Sequence, residues 1–253
     1  MEFCPNYEKK CSTQHAIRQK GVHYAQVSSI RGGDVTPLSI FAMLKSPCII
    51  FDLDGTLVDS EYLCNQAFLD LLPDLNDSVE TLAQRYRGQK LSLILTDIEQ
   101  RIKHSLPKQF EMDYRLRVSE LFSSQLKPMP NVIEMLASIR FATCVASSAP
   151  MKKIRQALQV SGLSIYFGDR LFSSYEVGSW KPEPGLFQHT ANAMGFALEQ
   201  CVVVDDSNLG IEAALTAKMF ALQYRPHEDS PMFPGAITFS DMLEIPKIID
   251  EFG

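Results

Sequence analysis

An open α/β sheet carrying an inserted helical unit is the fold class this sequence predicts, and three observations predict it. From Ser46 onward, short apolar runs alternate with longer segments of helical period. One run, Cys201-Val202-Val203-Val204, is apolar without a break, as expected of a parallel strand covered on both faces. The alternation is then suspended between about residues 62 and 127, where helical patterns follow one another with no strand between them.

The elements follow in order. Cys48–Phe51, Thr143–Ala146, Asp169–Phe172, Cys201–Val204 and Phe220–Gln223 read as strands. Helices are expected over Met151–Val160 and Gly185–Met194, each with a proline at its start, and over Leu209–Lys218, where Ser207 or Asn208 can cap the first turn. The interruption carries helical patterns at Tyr62–Leu72, Val79–Tyr86, Leu91–His104 and Phe110–Leu126, broken at Pro73, Gly88 and Pro107. Ile245–Phe252 forms the tail, after the short apolar segment Ala236–Phe239. Together these predict a Rossmann-like parallel-sheet core over residues 44–60 and 128–253, with an all-helical cap over 61–127. Residues 1–43 mix polar and apolar types at no steady period and lack a secretory signal, so they are expected to be a poorly ordered extension. Met43 opens a stretch that reads like a protein start.

Composition narrows the function classes. At 253 residues the chain can bury one sizeable core with an insert, and 45% hydrophobic with 21% charged residues excludes wholesale disorder. Thirty acidic against 24 basic residues give a net charge of −6, which excludes the basic surface that nucleic acid or an anionic membrane requires. No apolar run approaches the roughly 18–20 residues of a membrane span. The six cysteines form no C-x-x-C pair and suit a reducing compartment as core filler, so a cytoplasmic monomer or weak dimer is expected.

Chemistry collects where the strands end, the place at which open parallel sheets bind ligands. The first strand runs into Asp52-Leu53-Asp54-Gly55-Thr56, the second into Ser147-Ser148, the third precedes Trp180-Lys181-Pro182, and the fourth runs into Asp205-Asp206-Ser207. Taken singly these are ordinary: Asp-Gly favours turns and Asp-Asp-Ser can cap a helix. Four carboxylates converging on one edge are not ordinary, because they repel and need neutralising. A hard divalent cation such as Mg2+ does so and characteristically sits between carboxylates and a phosphate, while a lysine adds a further positive point charge. The set reads as a phosphoryl-transfer site for a small phosphorylated metabolite.

These four motifs, in this order and with a helical insert after the first, resemble those of the haloacid-dehalogenase-like hydrolases. The similarity covers about residues 46–250. It is strongest to the subgroup holding β-phosphoglucomutase and small sugar phosphatases. The stretches LFSSYEVGSWKPEP and VVVDDSNLGIEAA are similar to bacterial phosphatases of 6-phosphogluconate and related sugar phosphates. The resemblance implies that Asp52 is the nucleophile and Asp54 the general acid and base. It implies that Ser147 binds the phosphoryl group, that Lys181 offsets its charge, and that Asp52, the Asp54 backbone carbonyl, Asp205 and Asp206 hold Mg2+. Gly55, Thr56 and Ser148 are expected to complete the phosphate surroundings. Arg87 and Lys90, in the basic run around the cap's Gly88, are expected to read an anionic substrate. The second aspartate of the first motif fits phosphatases and mutases rather than dehalogenases, whereas Lys90 stands one position from the arginine that mutases place there. A phosphomutase and a catalytically silent binding protein remain the alternatives at this stage.

Overall fold

The computed structural model describes residues 46–226 and 232–250, together with the backbone of His23–Tyr24. Six parallel strands form the sheet: β2 (Cys48–Phe51), β3 (Ala142–Ser147), β4 (Leu171–Ser173), β5 (Cys201–Asp205), β6 (Phe220–Tyr224) and β7 (Ile237–Phe239). The short β1 (His23–Tyr24) pairs antiparallel with β7, giving the order β1-β7-β6-β5-β2-β3-β4. β2 is flanked by β3 on one side and β5 on the other, so the connections leave it in opposite directions and open a crevice at its carboxyl end.

Period-two side-chain alternation divides the strands between two apolar layers. Ile49, Phe51, Val145, Val202 and Val204 join one layer, and Cys48, Ile50, Cys144, Cys201 and Val203 the other. All ten are buried, as the unbroken apolar run predicted. Burying a ring such as Phe51, which meets the edge of Phe167 at 6.2 Å, contributes about 2–3 kcal/mol before entropy is counted. The cysteines of these strands serve as small hydrophobes, as expected.

The cap is helical throughout: α1 (Glu61–Leu71), α2 (Val79–Tyr86), α3 (Leu91–Ile102) and α4 (Phe110–Gln125). Phe68 of α1 stacks on Tyr114 of α4 with centroids 4.2 Å apart and meets Tyr86 edge-on, which closes the cap's own core. The chain leaves and re-enters the sheet unit side by side. Asp59 N–H donates to Lys127 O at 3.0 Å and Met129 N–H to Leu57 O at 3.0 Å, so two adjacent segments carry the cap.

The remaining helices of the core are α5 (Val132–Ser138), α6 (Met151–Val160), α7 (Ser164–Phe167), α8 (Ser174–Val177), α9 (Gly185–Met194), α10 (Asn208–Thr216) and α11 (Glu244–Asp250). Three differences from the expectation have local causes. The third strand starts two residues late, at Leu171, because Asp169 is exposed and pairs with Arg155. α5 is too short for its period to register in the sequence. Ala236–Phe239 proves to contain the strand β7, which pairs with β6 and β1. Apart from His23–Tyr24, the extension 1–43 lies outside the described residues, as do residues 251 and 252 of the tail segment Ile245–Phe252. No described helix is long and apolar enough to cross a membrane.

Candidate active site

Because β2, β3 and β5 are adjacent and parallel, their carboxyl ends deliver Asp52, Ser147 and Asp205 to one edge. Asp52 is anchored by its own N–H, which donates to Val204 O at 2.9 Å. Lys181, from the loop after α8, is buried between carboxylates. It bonds Asp52 Oδ1 closely and Asp205 Oδ2 at 2.6 Å. Burial opposes its charge, yet Asp205 and Asp52 outweigh that and hold its proton above the ordinary lysine range. Burial pushes Asp52 up to about 7; Lys181 counteracts it and the neighbouring Asp205 adds to it.

Asp205 is fully engaged. Its Oδ1 accepts from the Ser207 N–H at 2.9 Å and hydroxyl at 2.7 Å, while Oδ2 takes Lys181. Ser207 in turn caps α10 by accepting from Gly210 N–H at 3.0 Å. Gly210 is what lets this helix approach: a Cβ there would fall 1.9 Å from Asp205 Oδ2. Gly210→Ala is therefore expected to displace Asp205, lowering stability by about 2 kcal/mol or more and costing most of the activity. Thermal melts and initial rates test this, and a variant indistinguishable from wild type would contradict the packing.

Asp206 is held differently. Thr56 Oγ1 donates to its Oδ1 at 3.0 Å and accepts from its N–H at 3.1 Å. Gly55 turns with φ +78°, and a Cβ there would lie 2.8 Å from Asp206 Oδ2. Burial, then Glu61, Asp205 and Asp52, drive the Asp206 carboxyl well above the usual range, with Arg87 as the partial counterweight. Asp52, Asp205 and Asp206 offer oxygens all within 4.8 Å of one another. A buried, all-oxygen set in which the Asp205 charge raises the proton affinity of both Asp52 and Asp206 suits a hard divalent cation, so Asp52 and Asp206, with Asp205 behind them, fit Mg2+.

Asp54 faces a cavity of about 1050 Å3 between cap and core, together with Asp52, Ser147, Ser148, Lys181 and Arg87. Ser60 donates to its Oδ1 at 2.5 Å and Lys153 to its Oδ2 at 2.9 Å. Ser147 Oγ accepts from Ala149 N–H at 3.1 Å, which leaves its hydroxyl proton free to point into the cavity.

Two expectations are placed differently by the structure. Gly55 and Thr56 do not line the cavity but orient Asp206, because the left-handed turn after β2 brings their backbone against that carboxylate. Lys90 does not line it either: its ammonium lies 3.5 Å over the Trp180 ring. Arg87 does line the cavity, with Nε 3.2 Å from Glu61 Oε2 and 3.6 Å from Asp206 Oδ2.

Sequence reasoning missed Lys153, Ser60 and Glu61. Burial opposes the Lys153 charge, but Asp54 holds its proton above the ordinary lysine value. A signal existed: Lys152 and Lys153 occupy the first turn of α6, where the helix dipole disfavours cations, so a local charge must compensate.

A family profile for haloacid dehalogenase-like hydrolases matches residues 47–218. The chain belongs to the haloacid dehalogenase-like hydrolases. Among its relatives in this family, 6-phosphogluconate phosphatase of Escherichia coli (strain K12) is 32% identical over 211 residues, covering 81% of this chain and 96% of that protein. The phosphorylated carbohydrates phosphatase of Thermotoga maritima is 29% identical over 177 residues, covering 67% and 80% respectively. A solved haloacid dehalogenase-like protein of Agrobacterium tumefaciens strain C58 superposes with a TM-score of 0.70 at 27% identity, covering 81% of this chain and 98% of that one. Family and relatives together make this chain a phosphatase, as the paired aspartates of its first motif led one to expect.

Proposed function

We propose that this haloacid dehalogenase-like phosphatase is Mg2+-dependent, hydrolyses sugar phosphates such as 6-phosphogluconate, and works through an aspartyl-phosphate at Asp52. The observation that carries this reading is the buried Asp52–Lys181–Asp205 cluster, with Asp206 beside it, opening on a cavity that Asp54 faces from the same loop. An Asp52 oxygen attacks phosphorus, and the bond to the ester oxygen breaks as the Asp54 carboxyl gives that oxygen its proton. The Asp54 carboxylate then takes a proton from water, which attacks the phosphorus of the acyl phosphate, releases inorganic phosphate and restores Asp52. Ser147 donates its hydroxyl to a phosphoryl oxygen. Lys181 opposes protonation of Asp52 and offsets the charge gathered in the transition state.

Asp52, Asp206 and the Asp54 carbonyl are the groups that would hold Mg2+; Asp205, expected among the ligands, has both oxygens engaged by Lys181 and Ser207 and instead anchors Lys181 and adds negative charge. The bound ion supplies the neutralisation that lets an anionic phosphate approach these carboxylates. On the cap side Arg87 faces the cavity and is placed to read a second anionic group, such as the carboxylate of a sugar acid. This is the feature that favours 6-phosphogluconate over a neutral sugar phosphate, in line with the activity named for the Escherichia coli relative.

The test is phosphate release from a panel of phosphorylated metabolites, with Mg2+ and with EDTA. Turnover that EDTA abolishes, with the highest kcat/KM for phosphorylated sugar acids, is the expected result. An Arg87→Met variant should raise KM for sugar-acid phosphates more than for neutral ones by about tenfold. Folded, Mg2+-loaded protein that releases no phosphate from any ester would overturn the reading.

A further inference from the structure

One loop of the cap, residues 87–90, meets the core at three points. Arg87 Nε lies 3.6 Å from Asp206 Oδ2. Gly88, at φ +70°, comes so close that a Cβ would fall 2.8 Å from that of Ser207. Lys90 Nζ stands 3.5 Å over the Trp180 ring, immediately before Lys181 in the chain. The indole is otherwise held by packing: its edge meets Tyr175 at 5.5 Å, and its buried Nε1 finds no hydrogen-bond partner among the described residues. An ammonium on the ring face is therefore the directional contact this indole makes.

We infer that Lys90 is a positioning residue. Stacked on Trp180, it seats the 87–90 loop on the core and so delivers the Arg87 guanidinium to the cavity beside Asp206. The three contacts fall within four consecutive residues, and the close approach of Gly88 to Ser207 fixes the backbone between the other two, so they act as one clamp. Lys90 itself stands outside the cavity lining, so its charge acts through the loop and not on substrate. The kinetic part of this inference rests on the phosphatase reading above, and the spectroscopic part does not.

Trp180 is the sole tryptophan of the chain, so indole emission reports the surroundings of this one ring, and the Lys90 variants isolate the contact on its face. In Lys90→Ala the ring face opens, and acrylamide quenching of Trp180 should rise about twofold, whereas Lys90→Arg, which keeps a cation over the ring, should quench like wild type. For the best ester, Lys90→Ala should lower kcat/KM about tenfold, chiefly through KM, and Lys90→Arg should restore most of it. In an Arg87→Met background the same Lys90→Ala change should have little further effect, since the loop then has no guanidinium to deliver. Unchanged quenching in Lys90→Ala would overturn the stacking. Effects of Lys90→Ala and Arg87→Met that multiply would overturn the positioning role and make Lys90 an independent contact. If no ester is turned over at all, the phosphatase reading fails while the quenching comparison still decides the contact.

Discussion

Asp52→Asn is expected to lower kcat for the best phosphate ester by at least about 10^4-fold and, in the same protein without metal, to raise the melting temperature. The amide keeps the shape of the side chain but cannot attack phosphorus. The stability gain follows from burial: Asp52 is 6% exposed, and burial raises its carboxyl to about 7, so the native state holds an ionised group that prefers water. The sign is fixed by linkage. A group whose folded value lies above its unfolded one contributes fully below the unfolded value and loses that contribution as pH rises through the folded one. Wild type and variant should therefore melt close together near pH 4, and the variant should gain an advantage of a few degrees by pH 8 in EDTA. A variant that retains even a hundredth of the activity, or that melts below wild type at pH 8, would contradict this account.

Lys181→Met should do the opposite to stability. It removes the cation that bridges Asp52 and Asp205 and leaves two buried carboxylates facing each other, a change that typically costs about 3–5 kcal/mol. For a chain of this size that is a fall of roughly 10 °C in melting temperature at pH 8. Without Lys181 the Asp52 carboxyl moves further above its unfolded value, so the loss should shrink as pH falls toward 5 and Asp52 takes up a proton. Activity at saturating Mg2+ should fall by about 10^3-fold, because the charge of the attacking carboxylate and the phosphate is no longer offset. Equal melting temperatures for wild type and variant at pH 8 would show that the lysine does not bridge the pair. The two variants together separate chemistry from architecture: both lose turnover, but one should stabilise the fold and the other weaken it.

Much of the molecule is written locally in the chain. The runs CIIF and CVVV can hardly be anything but strands covered on both faces, and the stretch from Glu61 to Gln125 offers only helical period, so core and cap follow from hydrophobic spacing. Parallel strands bring their ends to one edge, and so the convergence of Asp52, Ser147, Lys181, Asp205 and Asp206 was legible once the strands were. The division of labour among them was not. Asp205 and Asp206 are neighbours in sequence and equivalent on paper, yet one is consumed by Lys181 and Ser207 while the other, held by Thr56, keeps an oxygen toward the cap.

The cap contacts depend on tertiary structure most of all. Arg87 and Lys90 read alike as a basic run, but a left-handed turn at Gly88 sends them to different partners, Glu61 and Asp206 for one and the Trp180 ring for the other. Lys153 was invisible as a site residue because its partner, Asp54, lies 99 positions away. Hydrophobic periodicity is a property of near neighbours, so the sequence by itself determined the strands, the helices and the edge where the carboxylates meet. Which carboxylate oxygen is engaged and which lysine meets which aspartate depend on contacts between distant segments of the core, and which cation faces the cavity depends on the packing of cap on core, so only the tertiary structure decided them.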